Sequence, residues 1–114
     1  MKQLDGEGFT VEYDSDDGRV ALKGTMRLGG MSEYAPVVEI LHEAMEQHSA
    51  MELDLAKLEF LNSSGIATLS KFIIAVRDSG NTQLTVTGSE SIPWQGKSLN
   101  NLQRLMPALE LQFN

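Results

Sequence analysis

The stretch Glu59–Phe72, EFLNSSGIATLSKF, places a carboxamide, two hydroxyls and a glycine where a strand-like apolar run gives way to a helical one. Two kinds of chemistry suit Asn62-Ser63-Ser64-Gly65. A helix beginning here leaves backbone N–H groups without partners, and Asn62, Ser63 or Ser64 can each accept one of them. On spacing alone that cap accounts for the junction. A hydroxyl in the same place is also a good site for phosphorylation. The modification adds about −1.5 to −2 charges and three acceptor oxygens, which the positive end of a helix accommodates. The fold need not change, but a neutral surface becomes anionic.

Other chemistry-bearing stretches fit their motifs poorly. Gly96-Lys97-Ser98 resembles the end of a phosphate-binding loop, but Ser91 stands where that motif needs its first glycine, and Pro93 and Trp94 interrupt the loop. Lys97 and Ser98 are instead expected to open a helix, with Ser98 as its cap. His42 and His48 are six residues apart, with Glu46 at the i+4 position a helical zinc site would need. They read as histidines at the solvent edge of a helix, and no metal site is expected. Asp14-Ser15-Asp16-Asp17-Gly18 has its glycine one residue early for a calcium loop and reads as a hairpin turn. No pair of carboxylates and no Ser–His pair is singled out, so no enzyme and no cofactor is expected. Trp94, the only tryptophan, follows Pro93 in a polar loop. It either folds back over the core edge or serves as an aromatic anchor for a partner.

The elements that position these residues follow from periodicity. Phe9, Val11 and Tyr13 alternate with polar residues, as do Val20 and Leu22, predicting a hairpin of strands over 9–14 and 19–27. Leu28-Gly29-Gly30-Met31 is a connector. Ser32 is the expected cap of a helix running to about His48, with Pro36 near its start and Val37, Ile40, Leu41 and Ala44 on one face. Met51, Leu53 and Leu55 form a third strand. Ile66, Leu69, Ile73 and Val76 stripe a second helix that Gly80 closes. Leu84 and Val86 make a strand, and Leu99 and Leu102 a last helix ended by Pro107. Leu109, Leu111 and Phe113 alternate as an edge strand. The order β-β-α-β-α-β-α-β implies an α/β fold with a mixed sheet covered by helices mainly on one face.

The 114 residues fit a single domain, 1–114. There are no cysteines, which excludes disulfides and thiolate chemistry. The net charge of −7 removes the basic footprint of a nucleic-acid or anionic-lipid binder. No stretch resembles a signal peptide or approaches the length of a membrane span, so a cytoplasmic protein without membrane insertion is expected.

DLAKLEFLNSSGIATLSKF, taken with this order of elements, resembles the central segment of STAS domains, the family of bacterial anti-sigma-factor antagonists. The likeness spans nearly the whole chain, from the hairpin to LMPALELQF. It implies a regulator that works by partner switching. Ser63 would be the phosphoacceptor, with Asn62, Ser64 and Gly65 shaping its loop and Ser64 capping the helix. A serine kinase with a histidine-kinase-like ATPase fold would modify Ser63, and a metal-dependent serine phosphatase would reverse it. The unmodified form would bind and sequester its partner through Arg27, Leu28, Gly29, Gly30, Met31 and Trp94. Two positions depart from the pattern: Asn62 replaces the family's usual aspartate, and Arg27 stands where an acidic residue is common. The alternative is a constitutive STAS-type subunit of a transport or scaffold complex, held by the same surface without phosphorylation.

Overall fold

The computed structural model describes all residues, 1–114. Its strands are β1 (Lys2–Gly6), β2 (Phe9–Asp14), β3 (Arg19–Met26), β4 (Ala50–Leu61), β5 (Gln83–Gly88) and β6 (Glu110–Phe113). Its helices are α1 (Ala35–Gln47), α2 (Ser63–Ser79) and α3 (Gln95–Leu105), with a short 3-10 turn over Met31–Tyr34 before α1. The six strands form one sheet in the order β1-β2-β3-β4-β5-β6. The first three pair antiparallel, and β3 through β6 run parallel, each joined to the next by a helix. Right-handed crossovers that all step in the same direction place their helices on one face. That face holds the core, where Val11, Tyr13, Leu22, Leu53 and Val86 meet Leu41, Phe72, Ile73 and Leu99. The other face is polar and pairs its charges across strands, Lys23 with Glu12 and Arg19 with Asp54. The α/β architecture and one-sided helix layer are those expected from the periodicity.

The hairpin turns at Gly18, whose φ of 67° suits glycine and whose N–H donates to the Asp14 carbonyl at 2.9 Å. Gly80 ends α2 in the left-handed conformation, its N–H returning to the Val76 carbonyl at 3.2 Å.

Several local expectations are corrected. β1 precedes the hairpin as an edge strand, so the order is β-β-β-α-β-α-β-α-β. Ser32 does not cap α1; it lies inside the 3-10 turn, and α1 starts at Ala35 with Pro36 in its first turn and no side-chain cap. Ser98 does not cap α3, which starts three residues earlier at Gln95. His42 and His48 are half-buried rather than at the solvent edge, His42 packing edge-to-face on Phe72 with ring centroids 5.7 Å apart.

β4 is longer than its alternation indicates. Its buried residues are Met51, Leu53, Leu55, Leu58 and Leu61, so the period slips from two to three. Pairing with β3 shows why: Ala21 faces Asp54 and Lys23 faces Lys57, then Gly24 faces Leu58 and Thr25 faces Phe60. Each shift leaves an extra residue on β4, the signature of a bulge. β5 meanwhile pairs with β4 only as far as Asp54. Beyond that point side chains replace the missing strand. Gln95 Nε2 donates to the carbonyls of Leu55 at 2.6 Å and Leu58 at 3.0 Å, and Trp94 Nε1 donates to Glu59 at 3.1 Å. Gln95 Oε1 accepts from Ser89 N–H at 2.7 Å, tying the end of β5 to the same clamp. The bulged, clamped half of β4 delivers the chain to Asn62.

Candidate functional site

The site forms where β4 ends and α2 begins, beside the end of β3. Asn62 N–H donates to the Met26 carbonyl at 3.2 Å, continuing the parallel pairing by one step. Its backbone is extended, with φ −75° and ψ 174°, and its carbonyl accepts the first helical bond, from Ile66 N–H at 3.0 Å. This is N-cap geometry, completed by Asn62 Oδ1 accepting from Gly65 N–H at 2.9 Å. The cap is therefore Asn62, not Ser64. Ser64 lies within the first turn, half-buried, its carbonyl accepting from Thr68 Oγ1 at 2.8 Å.

The Asn62 side chain does more than cap. Oδ1 also accepts from the Tyr34 hydroxyl at 2.7 Å, and Nδ2 donates to the Leu28 carbonyl at 2.8 Å. Two donors face Oδ1 and an acceptor faces Nδ2, so only a carboxamide satisfies all three. An aspartate here would set a carboxylate oxygen against the Leu28 carbonyl. Asparagine at this position is thus matched to the connector it holds. Tyr34 is 1% exposed, and burial pushes its hydroxyl above the ordinary phenol range, keeping it a hydrogen-bond donor. It also reaches toward the Met26 carbonyl at 3.4 Å. No feature of the sequence marked Tyr34, which fell inside the helix expected to follow Ser32.

Gly65 makes room for this network. A Cβ at residue 65 would run into Leu61 Cδ1 and lie 2.7 Å from the Tyr34 hydroxyl oxygen. Gly65→Ala is therefore expected to destabilise the fold by about 1–3 kcal/mol, because crowding of a packed site outweighs alanine's better helix propensity. Urea unfolding checks this, and a variant as stable as the parent would show that the junction relaxes freely.

Ser63 is the first residue of α2 and is exposed, and its hydroxyl makes no hydrogen bond within the chain. The N–H groups of Ser63 and Ser64 precede any possible intrahelical acceptor. A free hydroxyl thus stands at the positive end of a 17-residue helix.

The remaining candidate residues surround this point unequally. Arg27 is exposed and its guanidinium stacks over the Phe60 ring, 4.6 Å from the centroid, rather than on Ser63. Phe60 is one of the few large apolar side chains left exposed, and Met31 is another. Leu28 is half-buried and tethered by its carbonyl, Gly29 is exposed, and Gly30 opens the 3-10 turn. Met31 borders a groove of 500 Å³ between α1 and α2, lined also by Ala35, Val38, Thr68, Lys71 and Phe72. Trp94 is half-buried and folds back onto the core edge, pinned to β4 by its indole N–H. It approaches β4 from the β5 side, whereas Arg27 and Leu28 lie on the β3 side.

No helix is long and apolar enough to cross a membrane. No protein-family model matches the chain, and no curated protein matches it in sequence. Solved structures do match it. A chain in the crystal structure of the diguanylate cyclase SiaD in complex with its activator SiaC from Pseudomonas aeruginosa superposes with a TM-score of 0.75 at 14% identity, covering 100% of both chains. The crystal structure of apo-SiaC from the same organism gives 0.75 at 15% identity, covering 100% of this chain and 99% of that one. A further SiaC structure gives 0.69 at 16% identity, over 99% and 96% of the two chains. At these identities the likeness is one of fold, end to end, and the fold is STAS-like.

Proposed function

We propose that this chain is a non-catalytic regulator that docks on a partner protein and is released from it by phosphorylation of Ser63. The observation that carries this reading is the Ser63 hydroxyl: exposed, without a partner, and set at the N-terminus of α2 by a cap that a neighbouring residue supplies. Because Asn62 performs the capping, Ser63 is spared for another role. A phosphate there gains the helix dipole and first-turn N–H groups, so the protein tolerates it. A docked partner that has no counter-charge at that point does not.

The docking face is the β3–β4 end of the sheet: Arg27 on Phe60, the Leu28–Met31 connector and the apolar groove beside Met31, with the exposed rim of Trp94 at its far side. The full-length likeness to SiaC supports a partner of the kind SiaC activates, a diguanylate cyclase. The modifying enzymes are a serine kinase with a histidine-kinase-like ATPase fold and a serine phosphatase.

Intact-mass spectrometry after incubation with the cognate kinase and ATP tests the site. One phosphate is expected on the parent chain and none on Ser63→Ala. Labelling that persists in Ser63→Ala would overturn the assignment.

A further inference from the structure

We infer that the Asn62 carboxamide is a lever that passes the state of Ser63 to the Leu28–Tyr34 segment, with Tyr34 as the positioning residue at its other end. The inference rests on Ser63 being the modified residue. It starts from the distribution of donors around the junction. The Asn62 side chain has one donating group, Nδ2, and in the unmodified chain one of its two hydrogens is held by the Leu28 carbonyl at 2.8 Å. Its acceptor, Oδ1, is held by Gly65 N–H at 2.9 Å and the Tyr34 hydroxyl at 2.7 Å. These bonds anchor the connector and the 3-10 turn to the start of α2.

A dianion on the adjacent residue reverses the preferences at this point. It repels Oδ1, attracts Nδ2, and offers oxygens to the first-turn N–H groups that the cap now serves. Rotating the carboxamide by half a turn satisfies the phosphate. The same rotation removes the bond to Leu28 and leaves the Tyr34 hydroxyl facing a donor. Tyr34 then turns its proton to the Met26 carbonyl, 3.4 Å away, and changes from donor to acceptor toward Asn62. The connector, including the exposed Met31, loses its tether. Phosphorylation thereby acts on the docking face twice, by charge at Ser63 and by loosening Leu28–Tyr34. Asparagine, unlike aspartate, has the two different ends this lever requires.

The test uses the full chain with phosphoserine incorporated at residue 63 during translation. Hydrogen exchange is followed over residues 28–34, and the Asn62 side-chain amide is followed by NMR. Phosphorylation is expected to speed exchange in this segment by about tenfold, the scale of one lost hydrogen bond, and to shift the Asn62 Nδ2 protons. In Asn62→Asp the segment is expected to exchange fast already and to respond to the phosphate by less than about twofold. Tyr34→Phe preserves the ring and the Leu28 bond, so it provides a second background, in which the response at the 3-10 turn is expected to shrink while that at Leu28 persists. Unchanged exchange in the phosphorylated parent, or an equal response in Asn62→Asp, overturns the lever. Loss of partner affinity on phosphorylation with unchanged exchange leaves the proposed function standing without the lever. Faster exchange with unchanged partner affinity does the reverse.

Discussion

Ser63→Asp is expected to weaken partner binding by about a hundredfold or more, while Ser63→Ala binds as the unmodified chain does. The size follows from the cost of enclosing a charge with no partner, typically 3–5 kcal/mol when one member of a buried pair is missing. Aspartate carries less charge than a phosphate, so its effect is a lower bound. The contrast is clean because neither substitution threatens the fold. Ser63 is exposed and its side chain makes no bond. Alanine is a good helix former, and an acidic residue in the first turn favours the helix dipole by about 0.3–1 kcal/mol. Ser63→Asp should therefore melt at or slightly above the parent temperature even as it loses its partner. Calorimetric titration with the purified partner, beside thermal melts of both variants, separates the two effects. Equal affinities for Ala and Asp would favour the alternative of a constitutive subunit.

The largest loss of stability is expected far from the hydroxyl, at Gln95. Its side chain is completely buried and bonds three backbone groups that have no strand to pair with. Gln95→Ala leaves the Leu55 carbonyl and the Ser89 N–H unsatisfied and the Leu58 carbonyl with only its 3.3 Å bond from Trp94 Nε1, at about 1–3 kcal/mol for each orphaned group before relaxation. With partial hydration of the opened space, a net loss of about 3–5 kcal/mol is expected, a large share of what keeps a small domain folded. Gln95→Glu should fare no better, since a carboxylate would replace the donor that faces the Leu55 and Leu58 carbonyls. Urea unfolding monitored by Trp94 fluorescence measures both. A loss under about 1 kcal/mol would mean that water replaces the clamp at little cost. Because this clamp holds the half of β4 that ends at Asn62, the same variants should also blur the junction.

The likeness to SiaC and the geometry of the junction bear on different levels. The former speaks to an end-to-end fold, and the latter to which side chains are free to act. Ser63 is available because Asn62 takes the capping role that either serine could have filled. That division of labour was open from EFLNSSGIATLSKF, where all three side chains satisfy the same chemistry. Oδ1 of Asn62 settles it by reaching both Gly65 and Tyr34, a residue 28 positions earlier.

What the sequence by itself determined is what depends on local period and local φ. Alternation at Phe9, Val11 and Tyr13 and at Val20 and Leu22 marks strands with one buried face. The stripes Val37–Ile40–Leu41–Ala44 and Leu69–Ile73–Val76 mark helices, and Gly18 and Gly80 mark left-handed turns. The site's place at a strand-to-helix junction follows from the same signals. β1 was invisible because an edge strand with only Leu4 half-buried needs no apolar alternation. The bulges of β4, the Gln95 clamp and the folding-back of Trp94 answer to how far β5 extends, which is a property of the sheet. The Tyr34–Asn62–Leu28 bonds likewise join segments about thirty residues apart. Periodicity reports which face of an element meets the core; which polar groups meet each other there is decided only when the elements are packed.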